Sequence, residues 1–330
     1  MTGRLTANDF FSGAGGLGLG FKYAGFDLSG AWDFNRDAVE SYKKNVSEKI
    51  TQADISKMSW EDVPYADVWT FGFPCQDISI AGKQAGMIKG KTRSGLFYEI
   101  IRLLEETRDN DTSKLPKIIM AENVRPVSKL LPIIQEEYGK AGYKMFAAMM
   151  NSKFWGVPQN RQRYFIVGVH ESIERNFSFP EQQGDILVKL KHILEEDVDK
   201  KYFVRDIEKL GVLEKIEEGY KVRQATKLGY DIAVPGDAIN VSHPKSKTRR
   251  GRVGKQVAQT LLTSSEQVVV LDDGSVRYFT PREFARLQGF PDTYEITVSD
   301  TQFYKQMGNA VTVNLAKAMA EQIKSFLEEL

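Results

Sequence analysis

The stretch Ala7-Asn8-Asp9-Phe10-Phe11-Ser12-Gly13-Ala14-Gly15-Gly16-Leu17-Gly18 decides the fold. Ala7 to Phe11 reads as a strand, and Gly13 to Gly18 spells G-x-G-x-x-G where a helix would open. Such glycines allow a tight turn and let a ligand approach the backbone, while the helix N-terminus offers unpaired N–H groups. Asp33 ends a second strand, Leu28 to Asp33, about 20 residues further on, where a carboxylate can bond ribose hydroxyls. The turn predicts a nucleotide-type cofactor. It does not say which one, because NAD, FAD and S-adenosylmethionine all carry an adenosine.

Outward from this turn, short apolar runs alternate with amphipathic stretches. Arg36 to Asn45 and Gly95 to Glu106 have helical spacing, and a helix is expected near Val127 to Ala141. Val68 to Phe71, Lys117 to Ala121, Tyr143 to Met150 and Arg163 to Val169 read as strands. This alternation predicts an α/β sheet with helices on both faces. The rhythm ends after about Pro180. Residues 240–255 hold Lys245, Lys247, Arg249, Arg250, Arg252 and Lys255 and no acid, and Asn314 to Leu330 reads as a closing helix. The expected domains are 1–183 completed by 301–330, and 184–300.

Composition narrows the function. The chain has 330 residues, 45 basic and 44 acidic, for a net charge of +1. A uniformly basic coat is excluded, so any polyanion site must come from local clustering. One cysteine, Cys75, cannot form an internal disulfide, and three scattered histidines predict no metal site. There is no basic segment leading into a long apolar one at the N-terminus, and no apolar run of about 18 residues, so a cytoplasmic protein outside the membrane is expected.

Several residues carry chemistry. Cys75 lies in Gly72-Phe73-Pro74-Cys75-Gln76, just beyond the strand at Val68, where open α/β sheets bind ligands. Glu122 ends another strand in Ala121-Glu122-Asn123-Val124. Arg161 and Arg163 stand at alternate positions leading into a strand, and alternate positions share a face. A Gly308-Asn309 turn precedes the last helix.

Taken in order, DFFSGAGGLGLGF, GFPCQDISIAGKQ, ENV, QNRQR, RYFTPREFARLQGFPD and YKQMGNAV make the chain resemble the DNA cytosine-5 methyltransferases of bacteria and phages, over nearly its whole length. The resemblance implies a Rossmann-like S-adenosylmethionine-dependent methyltransferase fold, with a mixed, mostly parallel sheet and a smaller target-recognition domain. It implies methyl transfer to carbon 5 of cytosine in double-stranded DNA at a short specific sequence, with the nucleotide extruded from the duplex. Cys75 matches the nucleophile that adds to carbon 6, Glu122 the carboxyl at N3 and the exocyclic amine, and Arg163 the group at O2. Arg161 joins them as a catalytic candidate.

The same resemblance assigns Phe11, Gly13 and Gly15 to the methionine side of S-adenosyl-L-methionine, with Gly16, Leu17 and Phe34 also in the cofactor-binding set. Asp33 falls at the ribose, where many relatives have the longer glutamate, and Asp54 and Ile55 at the adenine. Phe73, Pro74, Asn309 and Ala310 complete that set. DNA contacts fall to Gln76, Ser79, Lys83 and Arg93 after the nucleophile, and to Arg249, Arg250, Arg252, Lys255 and Thr260 in the recognition region. Some relatives carry serine at the position of Ala81, where it helps fill the gap left by the flipped base, so another residue must do so here. Arg282, Glu283 and Arg286 are expected to form an ion-pair network linking the domains. Expected partners are duplex DNA and a cognate restriction endonuclease acting separately, with the chain a monomer. An RNA cytosine-5 methyltransferase of the same fold shares most motifs and stays open. A nicotinamide dehydrogenase shares the turn but does not explain Pro74-Cys75 with Glu122 and Arg163, and a non-catalytic DNA-binding module would not need them.

Overall fold

The computed structural model describes residues 3–73, 93–182, 184 and 188–330. Contacts divide the chain into two compact units. One holds Met1–Met150, Gln162–Gln182 and Ala310–Leu330; the other holds Asn151–Arg161 and Gln183–Asn309. Residues 151–161 and 301–309 thus pack with the second unit, a different division from the one expected at 183/184 and 300/301.

The first unit is built from β1 (Thr6–Phe10), α1 (Gly16–Tyr23), β2 (Asp27–Asp33), α2 (Arg36–Asn45), β3 (Ile50–Gln52), β4 (Val68–Phe71), α3 (Phe97–Asn110), β5 (Ile118–Val124), α4 (Leu131–Lys140) and β6 (Tyr143–Asn151). After β7 (Gln159–Asn160), which belongs to the second unit, β8 (Gln162–His170) completes a seven-stranded sheet of order β3-β2-β1-β4-β5-β8-β6. β1, β2, β3, β4 and β5 pair in parallel, whereas β8 runs antiparallel to β5 from Ile118↔Val169 to Val124↔Arg163. The mixed, mostly parallel α/β sheet expected from the sequence is therefore present.

Every residue of β4, and Ile118 to Asn123 of β5, is buried, as continuous apolar strands are when both sheet faces are covered. Phe10, Trp32, Trp69 and Phe71 share a core with Phe97, Ile100 and Leu104 of α3 and with Ile134 and Tyr138 of α4. Phe10 stacks on Trp32 with ring centroids 4.8 Å apart. Strand order reverses between β1 and β4, and in such sheets ligands bind at the carboxyl ends beside that reversal.

The second unit holds three small sheets. β9 (Leu213–Ile216), β10 (Gly219–Arg223) and β11 (Tyr230–Ala233) form an antiparallel meander. β12 (Ala238–Asn240), β13 (Val253–Gly254), β15 (Gln267–Val270) and β16 (Val276–Tyr278) form another sheet, and β14 (Ala258–Gln259) pairs in parallel with β7. Tyr220, Val222, Ile239, Val268 and Val270 are among its buried core. Helices α5 (Pro281–Leu287) and α6 (Asp300–Asn309) follow. The last helix, α7 (Val313–Glu328), belongs to the first unit and packs along α1.

The expected ion-pair network is real but differently wired. Glu283 pairs with Arg277, at 2.6 and 2.7 Å, with both side chains essentially inaccessible. Arg286 holds Asp292, and Arg282 donates to the Tyr294 carbonyl at 2.9 Å. All of these lie within the second unit, so they brace it rather than link it to the first. Glu283 also accepts from the Thr280 and Glu195 amides, which closes the N-terminus of α5.

Candidate active site

Four strand ends of the first unit, those of β1, β2, β4 and β5, carry candidate residues. At the end of β1 the chain turns through left-handed backbone at Phe11 (φ 52°), Gly13 (φ 54°) and Gly15 (φ 91°). The carboxylate of Asp33, at the end of β2, clamps this turn. Oδ2 accepts from the Gly13 amide at 2.9 Å and Oδ1 from the Asn35 amide at 2.8 Å. Burial pushes the Asp33 carboxyl above its ordinary value, and these amide bonds oppose the shift. Asp33 therefore has a structural duty that the sequence reading did not assign.

The glycines divide by what faces them. A Cβ on Gly15 would lie 2.5 Å from Val46 Cγ2, one on Gly16 2.2 Å from the Val311 carbonyl oxygen, and one on Gly18 2.3 Å from the Tyr42 hydroxyl. These three glycines, together with the buried Leu17, serve packing of α1 against α2 and the start of the α7 segment. At Gly13 the corresponding space is open to 4 Å. Gly13 is thus the open cradle among the glycines of the turn, and Phe34, which follows the Asp33 that holds the Gly13 amide, is 75% exposed. Ala310 is buried, one residue before the Val311 carbonyl that closes on Gly16. Ile55 is buried in the main core, while the exposed Asp54 caps a 3-10 turn by accepting from the Ser56 amide. The Ser56 hydroxyl bond holds the Asp54 carboxyl below its usual range.

Beneath the loop lies a residue the sequence reading missed. Asp9 is fully buried; its Oδ2 accepts from the Gly18 amide at 3.0 Å and its Oδ1 from the Thr70 hydroxyl at 3.1 Å. Desolvation pushes its carboxyl up to about 8, against those hydrogen bonds. An acid between Asn8 and Phe10 within a strand was the available signal.

At the ends of β4 and β5 the catalytic candidates converge. Glu122 Oε1 lies 3.2 Å from Arg163 Nε, both side chains nearly buried across the β5–β8 ladder. A methyl on Gly72 would sit 3.9 Å from Glu122 Oε2, which places the end of β4 beside this carboxylate. Asn123, also buried, donates from Nδ2 to the Phe73 carbonyl at 3.0 Å and so fixes the last described residue before Cys75. Asn123 appeared in the sequence only as the middle of Glu-Asn-Val; its neighbour's chemistry masked its own role.

Pro74, Cys75, Gln76, Ser79, Ala81 and Lys83 lie outside the described residues, as does the side chain of Arg93.

Arg161 does not share a face with Arg163. It sits at the break between β7 and β8, inside the second unit, buried, where its guanidinium donates to the carbonyls of Gly308 (3.1 Å) and Leu261 (3.4 Å). Asn309 follows Gly308 and is exposed at the end of α6.

The DNA candidates of the second unit divide in the same way. Arg252 is buried and donates to the carbonyls of Asn240, Ser242 and His243 at 2.7–2.9 Å. It cannot read a base without abandoning these bonds, so its assignment as a reader is corrected. Lys255 is engaged by Asp237 and Asp231, and Thr260 donates to the Asn160 carbonyl at 2.8 Å. Arg250 is exposed and Arg249 half-buried, and neither has an ion pair among the described residues.

A mostly parallel seven-stranded sheet with a glycine loop at its switch point and a buried carboxylate–guanidinium pair one strand end away defines a Rossmann-like α/β fold with a candidate ligand site at the carboxyl ends of its strands. The comparisons identify its family. The family model for the C-5 cytosine-specific DNA methylases matches residues 5–325, and the chain belongs to that family: it is a DNA (cytosine-5)-methyltransferase. It is 32% identical to the type II methyltransferase M.NlaX of Neisseria lactamica, over 97% of this chain and 96% of that protein. It is 31% identical to M1.ScrFI of Lactococcus lactis subsp. cremoris, over 99% and 80%. The fold matches the S. pombe Dnmt2 methyltransferase with a TM-score of 0.70 at 20% identity, covering 99% of each chain. A putative DNA modification methyltransferase encoded within an E. coli prophage matches at the same TM-score and 22% identity, covering 98% of this chain and all of that one. Among the described residues, no helix is long and apolar enough to cross a membrane.

Proposed function

We propose that this chain methylates carbon 5 of an extruded cytosine in double-stranded DNA, within a short specific sequence, using Cys75, Glu122 and Arg163. The observation that carries the reading is the Glu122–Arg163 pair, buried at one strand end beside Gly72 and Phe73. A carboxyl and a guanidinium held together match the N3 and amine edge and the O2 of cytosine, and reject thymine at N3.

Carbon 5 is a poor nucleophile until a thiolate adds to carbon 6. In the proposed step the Cys75 sulfur forms a bond to carbon 6, and Glu122 holds a proton at N3 as the ring accepts the electron pair. Arg163 offers hydrogen bonds at O2, where negative charge develops. Carbon 5 takes the methyl group and loses its proton to a base that we leave unassigned. The sulfur–carbon 6 bond then breaks and Cys75 is regenerated. S-adenosyl-L-methionine, when bound, supplies the electrophilic methyl group. The open position at Gly13, the exposed Phe34 and the Asp33-clamped turn fit its adenosine and methionine portions. Asn123 acts at one remove, by fixing Phe73.

The type II relatives support a role in a restriction–modification system; protection of phage DNA is the other role proposed, and in either the chain acts as a monomer, with any cognate endonuclease acting separately. The test is nucleoside mass spectrometry of plasmid DNA treated with the purified protein and isotopically labelled S-adenosylmethionine. Labelled 5-methyldeoxycytidine is expected, absent with Cys75→Ala although calorimetry still detects cofactor binding. Label on carbon 5 of tRNA but not DNA would transfer the reading to RNA, and turnover by Cys75→Ala would overturn the nucleophile.

A further inference from the structure

A carboxylate at the end of the second strand of a nucleotide-binding sheet ordinarily takes ribose hydroxyls. In this chain that carboxylate, Asp33, is already engaged. Its backbone is fixed: Asp33 stands opposite Gln52 in the β2–β3 ladder, and its carbonyl accepts from the Ala53 amide at 3.0 Å. On the short aspartate stem the carboxylate reaches the amide two residues on, which is the usual turn chemistry of this residue. Oδ1 takes the Asn35 amide at 2.8 Å. Asn35 then caps α2, its own Oδ1 accepting from the Ala38 amide at 3.1 Å. Oδ2 crosses to the end of β1 and takes the Gly13 amide at 2.9 Å. The Phe34 amide is a further donor to the same group.

The count of acceptor sites decides what remains for a ligand. An ionised carboxylate offers about four, two on each oxygen. The amides of Gly13, Phe34 and Asn35 leave about one open. A ribose held through both hydroxyls needs two. Freeing a second site would release either the Gly13 amide, in a turn whose backbone is left-handed at φ 54°, or the turn that leads into α2. Half-buried amides left without an acceptor are costly.

We propose that Asp33 is the clamp of the cofactor turn and takes at most one hydroxyl of the cofactor ribose, so that this chain accepts a cofactor lacking the other hydroxyl. The inference rests on the S-adenosylmethionine reading above. A ribose held through both hydroxyls by one carboxylate loses about tenfold or more in affinity when either is removed, because each is a bond to a charged group. Here such a loss is confined to one of the two. The ribose then contributes little to choosing the cofactor, and the choice falls to its other parts.

The test is calorimetry on the full chain with S-adenosylhomocysteine, which is the cofactor without its methyl group, and with its 2′-deoxy and 3′-deoxy analogues. Wild type must bind the parent compound; if it does not, the cofactor reading fails and this inference falls with it. At least one deoxy analogue is expected to bind within about threefold of the parent. Losses of about tenfold or more for both analogues would show a ribose held through both hydroxyls and overturn the proposal. Asp33→Glu, one methylene longer, tests the clamp. It carries the carboxylate past its own turn and should lower the unfolding midpoint, because the Gly13 and Asn35 amides lose their acceptor. An unchanged midpoint would show that the clamp is dispensable and would also overturn the assignment. Should that variant fail to fold, the analogue comparison on wild type still decides.

Discussion

Each unit buries an arginine–carboxylate pair, and the two pairs differ in kind. In the second unit Arg277 and Glu283 meet in two bonds of 2.6 and 2.7 Å, and the same carboxylate accepts amides of Thr280 and Glu195. That carboxylate is filled by protein donors and closes a helix terminus. In the first unit the closest approach of Arg163 to Glu122 is 3.2 Å through Nε, the side chains keep 13% and 9% of their exposure, and the pair lies at the carboxyl end of β5, the strand next to the β1/β4 switch point. A buried ion pair is weak evidence of function by itself. What separates the two is where the elements leave them: inside a fold, or at the ligand end of a sheet.

Paired substitutions sharpen this contrast. Glu283→Gln leaves Arg277 buried without its charge partner and should cost about 3–5 kcal/mol of stability, measured by denaturant unfolding, with little change in turnover per folded molecule. Glu122→Gln should do the reverse, lowering the methylation rate by about 10²–10⁴ with the unfolding midpoint nearly unchanged. If Glu122→Gln unfolded the protein and kept its rate, the two pairs would be equivalent and the site reading would fail.

The arginines of the recognition segment offer the next contrast. Arg252→Ala strands the carbonyls of Asn240, Ser242 and His243 and should destabilise by about 1–3 kcal/mol. Arg250→Ala should leave the unfolding midpoint alone and reduce DNA affinity, flattening the salt dependence by about one unit of slope. Equal unfolding curves for the two variants would contradict the division.

Within the glycine turn, Gly16→Ala must displace the Val311 carbonyl and should lower stability by about 1–3 kcal/mol. Gly13→Ala meets no atom and carries only the strain of its positive φ, about 1–2 kcal/mol. Its larger effect should be on cofactor binding by calorimetry, because the new methyl enters the cradle. An unchanged affinity in Gly13→Ala would remove that position from the site.

The smallest effect is in pH. Asp9 is pushed from 3.8 to about 8 by burial, so its folded state favours the proton. Its contribution is complete below about pH 4 and is lost as pH rises toward 8. Wild type should therefore lose thermal stability relative to Asp9→Asn across that window. A difference between the two that is independent of pH would show that Asp9 does not titrate there.

The sheet and its site were readable because their signals are local. The strand at Phe10, the turn at Gly13 and the acid at Glu122 each sit within a few residues of the feature that gives them meaning. The second unit was less readable because its wiring is distant. Arg252 looks like a DNA reader until the carbonyls of residues 240–243 fold around it, and Arg161 loses its alternation with Arg163 to the carbonyls of Leu261 and Gly308. Glu283 was legible as an ion-pair member, but not its partner on β16. The hairpin at 219–229 is not legible as a neighbour of the acid-free run at 240–255 because residues 230–239 separate them in sequence, and only the fold brings Ala225 to the Arg249 carbonyl.

The most direct measurement is bisulfite sequencing of plasmid DNA incubated with the purified protein and S-adenosylmethionine, set beside Glu122→Gln and Glu283→Gln. Wild type and the folded fraction of Glu283→Gln should protect cytosines in one short repeated context, and Glu122→Gln should protect none. Protection that survives Glu122→Gln, or cytosines modified without any shared context, would contradict the account.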